Sequence, residues 1–215
     1  LDADQQVPAP LDRWRLKYRF HFEEVAAAAP PPKNLFRVWW STEATNLEYS
    51  VPQSAADCDD PATPSEQCVH TIRSAFEGRN MVVNPGSTNN ACMVTNDPNA
   101  CGDEKRIAAS GGEFELVYAA GHCHAPACLS MELWDADRNE LLCRNEPTIG
   151  AGQGVHDEKG FVVGIAPCVW GAAADGLRPP PRVRLDGNYT SIKRVNSTNG
   201  HWGVMALWQC RGAYL

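Results

Sequence analysis

Two histidines one residue apart, His122 and His124, stand in the segment Gly121-His122-Cys123-His124-Ala125-Pro126-Ala127-Cys128. Side chains on an extended chain alternate with period two, so both imidazoles leave the same face. Side by side they are a ready pair of metal ligands. A third donor has to come from elsewhere in the chain. Met205 is one candidate; His201, four residues before it in Asn199-Gly200-His201-Trp202-Gly203-Val204-Met205, is another. Two imidazoles and a thioether form a soft donor set that suits copper, above all Cu(I), better than calcium or magnesium. Zinc is the second candidate, through the histidines and a thiolate from Cys123 or Cys128. On an extended backbone, however, Cys123 faces away from the pair. The remaining chemistry is sparse. His21 reads as a surface residue and His70 as structural. Asp135 and Asp137 fall in a turn, and no carboxylate or serine constellation suggests a hydrolase.

The pair must be held by strands. Phe114-Glu115-Leu116-Val117-Tyr118 precedes it and Leu129-Ser130-Met131-Glu132-Leu133-Trp134 follows, both short runs rich in branched and aromatic residues. Residues 129–144 read as a hairpin around the turn Asp135-Ala136-Asp137-Arg138-Asn139. Trp14 to Phe22 alternates apolar and polar over nine residues, a strong strand signal. Further strands are expected at Leu35–Trp40, Asn46–Val51, Val69–Phe76, Gly160–Ala166, Arg182–Leu185, Asn188–Arg194 and Gly203–Cys210. Residues 1–10 read as an extended arm. Ala26–Ala29 runs into Pro30-Pro31-Pro32 and reads as a loop, because the prolines stop a helix. Residues 52–68 and 84–112 are long loops; a disulfide within each, from Cys58 and Cys68 or from Cys92 and Cys101, could staple them. No helical period is sustained and no βαβ alternation occurs. The expected fold is all-β: a single antiparallel β-sandwich domain over residues 1–215, jelly-roll-like and stapled by disulfides.

Composition narrows the setting. The 215 residues carry a net charge of −7, so nucleic acid is not an expected partner. No apolar run approaches the length of a membrane span. Nine cysteines without a Cys-x-x-Cys pair read as disulfides formed in an oxidising compartment. Their odd number leaves at least one thiol unpaired, metal-bound or linked to another chain. The sequons at Asn188 and Asn196 agree with secretion and glycosylation. So does a chain that starts at Leu1 with neither methionine nor apolar leader, as a processed form or a fragment would.

From about Leu47 onward the chain resembles the C-terminal half of the plant stress-up-regulated nodulin family. Four segments carry the resemblance. They are Cys68–Ser74; Gly121-His122-Cys123-His124; Leu142-Cys143-Arg144 with Gly160–Cys168; and Asn188-Tyr189-Thr190 with His201–Met205. At greater distance the same arrangement is similar to the C-terminal copper domain of the ascorbate-dependent copper monooxygenases, which hydroxylate peptidylglycine or dopamine. That resemblance implies one copper ion on His122, His124 and Met205, with His201 as a further ligand or a neighbour of the site. It also implies a disulfide between Cys143 and Cys168. The two-copper enzymes need a second, electron-donating domain, for which this chain has neither the length nor a second histidine cluster.

The expectation is a secreted, copper-binding β-sandwich protein with a mononuclear His/His/Met site, redox-active or oxygen-activating. Two alternatives stand beside it. One is an extracellular structural or assembly component in which the histidines do no chemistry, meeting other chains through the N-terminal arm or the odd cysteine. The other is copper sequestration without turnover.

Overall fold

Alternating apolar and polar residues build most of the described residues into antiparallel strands. The computed structural model describes residues 35–41, 48–51, 58, 60, 62, 64, 67–82, 103–124, 127–154, 157, 159–196 and 201–215, with the backbone alone for 41, 48–51 and 201–203. The expected arm at 1–10, the strand at 14–22, the loop at 26–32, His21 and the Cys92/Cys101 bridge lie outside these residues. The chain divides into Leu1–Pro32 and Lys33–Leu215, and the described residues all belong to the second unit.

Two sheets face each other. The first has five strands. In order across the sheet they are β1 (Leu35–Ser41), β13 (Leu207–Tyr214), β4 (Glu113–Gly121) and β10 (Arg182–Arg184), with β9 (Cys168–Val169) also on β4. The second has four: β3 (Val69–Glu77), β11 (Asn188–Asn196), β5 (Cys128–Asp135) and β6 (Glu140–Asn145). Two small ribbons complete the framework: β2 (Glu48–Val51) with β12 (His201–Met205), and β7 (Pro147–Ile149) with β8 (Val162–Ile165). All these pairings are antiparallel.

The core lies between the two large sheets. Phe36, Val38, Phe114, Leu116 and Trp208 of the first pack with Phe76, Met131, Leu133 and Tyr189 of the second. Trp208 is fully buried, and its indole N–H donates to Ser191 Oγ at 2.8 Å, joining β13 to β11 across the sandwich. A buried donor of this kind needs its partner, because water is not available to it. The disulfide Cys143–Cys168 fastens β6 to β9, and so one sheet to the other. The resemblance-based expectation for that pair is met. Cys58 and Cys68 are also bridged, as the loop at 52–68 suggested.

The loop expected at 84–112 needs correction. Its last part is a helix, Asp103–Ala109 (α2), and a shorter helix, Gly78–Val82 (α1), precedes it. Seven residues are too few for a helical period to stand out. Only Ile107 of α2 is buried, so the helix has one apolar anchor and no stripe. The acidic first turn, Asp103 and Glu104, suits the positive end of the helix. The last expected strand, Gly203–Cys210, is in fact two, β12 and β13, divided at Ala206.

Candidate metal site at the end of β4

Strand β4 stops at Gly121, and the histidine segment leaves from its end. Gly121 is required there by space. A Cβ on it would sit 2.8 Å from Met131 Sδ and 3.3 Å from Asn145 Oδ1. Its N–H donates to Asn145 Oδ1 at 2.6 Å, while Asn145 Nδ2 donates to Ala166 O at 2.7 Å. Asn145 is itself buried. One amide side chain therefore positions the residue before the histidines and ties it to the chain leaving β8.

The histidine backbone is pinned at successive points. The N–H of His122 donates to Leu207 O at 2.9 Å. The carbonyl of His122 accepts from Lys193 Nζ at 3.0 Å. The N–H of Cys128 donates to His124 O at 3.1 Å, closing a turn that the disulfide Cys123–Cys128 also closes. Ala127 packs below with Ile72, Val195, Val204 and Ala206 in a small apolar cluster. Burial alternates along the segment: His122 is half-buried, Cys123 buried and His124 exposed. The extended reading of the sequence holds in this respect.

The two rings converge. His122 Nε2 and His124 Nε2 are 2.6 Å apart, and the ring centroids are 4.6 Å apart at 66°. Two nitrogens bound to one tetrahedral ion at ~2.0 Å stand ~3.3 Å apart, so the rings need to part by well under 1 Å to share a metal. The pKa of His122 lies below the usual histidine value. Burial is the main cause, with the charges of His124 and Lys193 adding to it. A neutral imidazole is the form that binds metal.

Lys193 was not recognised from the sequence. It lies on the inner face of β11 with Tyr189, Ser191 and Val195, and is 1% exposed. Its ammonium donates both to His122 O and to Met205 O. A single buried cation therefore holds the carbonyls of His122 and Met205 against one another, although they come from opposite sides of a long sequence interval. Burial pushes the Lys193 pKa down to about 8. The signal was present: a lysine in phase with the core residues of an alternating strand.

Met205 closes β12 and is half-buried, opposite Glu48 of β2. The backbone of His201 starts β12 opposite Val51, and its side chain is outside the described residues. His70, in β3 opposite Val195, does not join the pair. Among the described residues no group of three or more His, Cys, Asp or Glu side chains is gathered as for a metal. The thiolates considered for zinc are corrected: Cys123 and Cys128 are joined to each other, so neither sulfur is free to bind. Cys210 is a free thiol, but it is fully buried between the sheets, and burial raises its pKa to about 12. In the folded protein it is out of reach of another chain.

Asp137 is structural, as expected. It accepts from Arg184 at 2.5 Å, from the Asn188 backbone N–H at 3.0 Å and from Asn188 Nδ2 at 2.8 Å. These donors, the Asn188 N–H foremost, hold its carboxyl below the usual aspartate value. The amide nitrogen of the Asn188 sequon is thus engaged. Asn196 ends β11, and the rest of its sequon lies outside the described residues.

Compared with known proteins, residues 80–211 match the family described as stress up-regulated Nod 19. The chain belongs to that family. No curated protein and no solved structure matches it. The Nod 19 span takes in His122, His124, Lys193 and Met205 together with the Cys143–Cys168 bridge. It begins after Cys68–Ser74, one of the four segments that carried the resemblance.

Proposed function

We propose that this Nod 19 family protein is a secreted copper-binding β-sandwich protein with one ion on His122, His124 and Met205. The convergence of the two Nε2 atoms at 2.6 Å carries the reading. The shared Lys193 anchor of His122 and Met205 supports the third ligand, because it brings the two backbones together where the thioether is needed. A copper ion in such a site supplies reversible one-electron chemistry and open positions for a small oxidant. The protein residues contribute the two imidazoles, the fixed backbone and a disulfide-closed turn. The bridges at Cys58–Cys68, Cys123–Cys128 and Cys143–Cys168 support an oxidising compartment. Copper titration of the wild type and Met205→Leu tests the ligand set. Weaker Cu(I) binding in the variant, with Cu(II) binding by the histidines retained, is the expected result. Oxygen uptake with ascorbate then separates turnover, as in the copper monooxygenases that the sequence resembles, from sequestration.

The second reading is a structural or assembly component of the cell exterior. The same 2.6 Å contact favours it, since each imidazole can satisfy the other through one shared hydrogen bond. Failure of the wild type to bind any metal would select this reading.

A further inference from the structure

A second polar site lies on the outer face of the β3-β11-β5-β6 sheet, the face opposite Lys193. Strand register places Arg73, Ile192, Glu132 and Arg144 in one row across the four strands. Thr190 and Trp134 stand opposite each other in the neighbouring row. A cleft of about 330 Å³ opens over Arg73, Ile192, Glu132, Thr190 and Trp134, lined also by Arg194 and Asn139. That volume is at the lower end of the range for small-molecule sites.

The cleft is built around a buried charge. Glu132 is 4% exposed although it faces outward. Its Oε1 accepts from Arg194 at 2.7 Å and from Arg144 at 3.0 Å, and its Oε2 from the Trp134 indole N–H at 3.0 Å. A carboxylate out of water is costly unless it is fully bonded, and here it is. The network fixes the Trp134 ring and the Arg194 guanidinium in place. The other lining carboxylate, Asp135, is also buried and accepts from the Arg138 N–H at 3.0 Å. Both negative charges are therefore withdrawn and satisfied. Arg73 is exposed and has no carboxylate partner among the described residues. What the cleft offers a ligand is thus cationic at Arg73, hydrogen-bonding at Thr190 and Asn139, and aromatic at Trp134.

We infer that this cleft binds a sugar acid, a pyranose ring bearing a carboxylate. The carboxylate pairs with Arg73, a planar donor suited to it. The ring lies against Trp134, and its hydroxyls meet Thr190 and Asn139. The site does not depend on metal at the histidines.

Calorimetric titration of the metal-free protein with galacturonate, galactose and acetate tests the assignment. Galacturonate should bind at least about tenfold more tightly than either comparator, since each comparator keeps only half of the contacts. Arg73→Gln should weaken galacturonate about tenfold and leave the thermal midpoint unchanged, because an exposed unpaired side chain adds little to stability. Arg73→Lys should recover part of the loss. Equal binding of galacturonate and acetate, equal binding of galacturonate and galactose, no binding of galacturonate, or unaltered binding by Arg73→Gln would each overturn it.

Discussion

Gly121 and Lys193 decide where the histidines stand, and neither is one of the proposed ligands. Gly121→Ala would drive a Cβ into Met131 and Asn145. We expect a loss of about 1–3 kcal/mol in urea unfolding, with weaker copper binding as the histidine segment shifts. Lys193→Met would leave the carbonyls of His122 and Met205 without their shared donor. Each buried carbonyl left unpaired costs about 1–3 kcal/mol, partly offset by removing a buried charge. The expected result is a modest drop in the unfolding midpoint and a larger fractional drop in copper affinity, read by titration. The histidine pair was legible in the sequence because two residues suffice to define it. Lys193 was not, because a lysine in an alternating strand is ordinarily an outward one. The neighbours it touches, 71 and 12 residues away along the chain, show why this one turns inward.

Among the elements, the β3-β11-β5-β6 sheet has two faces of different character. The inner face carries Tyr189, Ser191 and Lys193; the outer one carries the Arg73-Ile192-Glu132-Arg144 row. Glu132 gives this sheet its acid sensitivity. Burial would raise its pKa, but hydrogen bonds from Trp134 and Arg194, with the charges of Arg194 and Arg144, outweigh burial and hold it below the usual value. A carboxyl depressed in the folded state binds fewer protons there than in the unfolded chain. Its stabilisation is complete above the unfolded pKa of about 4.3 and is lost as pH falls through the lower folded value. Glu132→Gln should be less stable than the wild type at neutral pH. The gap should close below about pH 4 in urea unfolding followed across pH. A gap that stays constant with pH would contradict this assignment. The strands themselves were visible in the sequence, β3, β5, β6 and β11 most plainly, because period-two alternation is local. Short helix α2 was hidden, since its single buried residue, Ile107, leaves no pattern.

The described part of Lys33–Leu215 is built on two large sheets held by a shared core and by a bridge between them. Cys143–Cys168 joins the sheets over a separation of 25 residues, and its removal as Cys143→Ala/Cys168→Ala should cost about 3 kcal/mol in equilibrium unfolding. The expected sandwich was readable from strand spacing, turn residues and the absence of βαβ alternation. Cysteine pairing was readable only in part: Cys123 and Cys128 beside two histidines suit zinc thiolates as well as the bridge they form. Among the described residues the free cysteine is Cys210, and it is buried in the core. The central claim concerns the converging histidines, and copper content tests it most directly. The purified protein is loaded with copper, freed of excess and assayed for metal beside His122→Ala/His124→Ala. The account predicts close to one copper per wild-type chain and almost none in the double variant, with both folded by circular dichroism. No copper in the wild type, or equal copper in both, would contradict it.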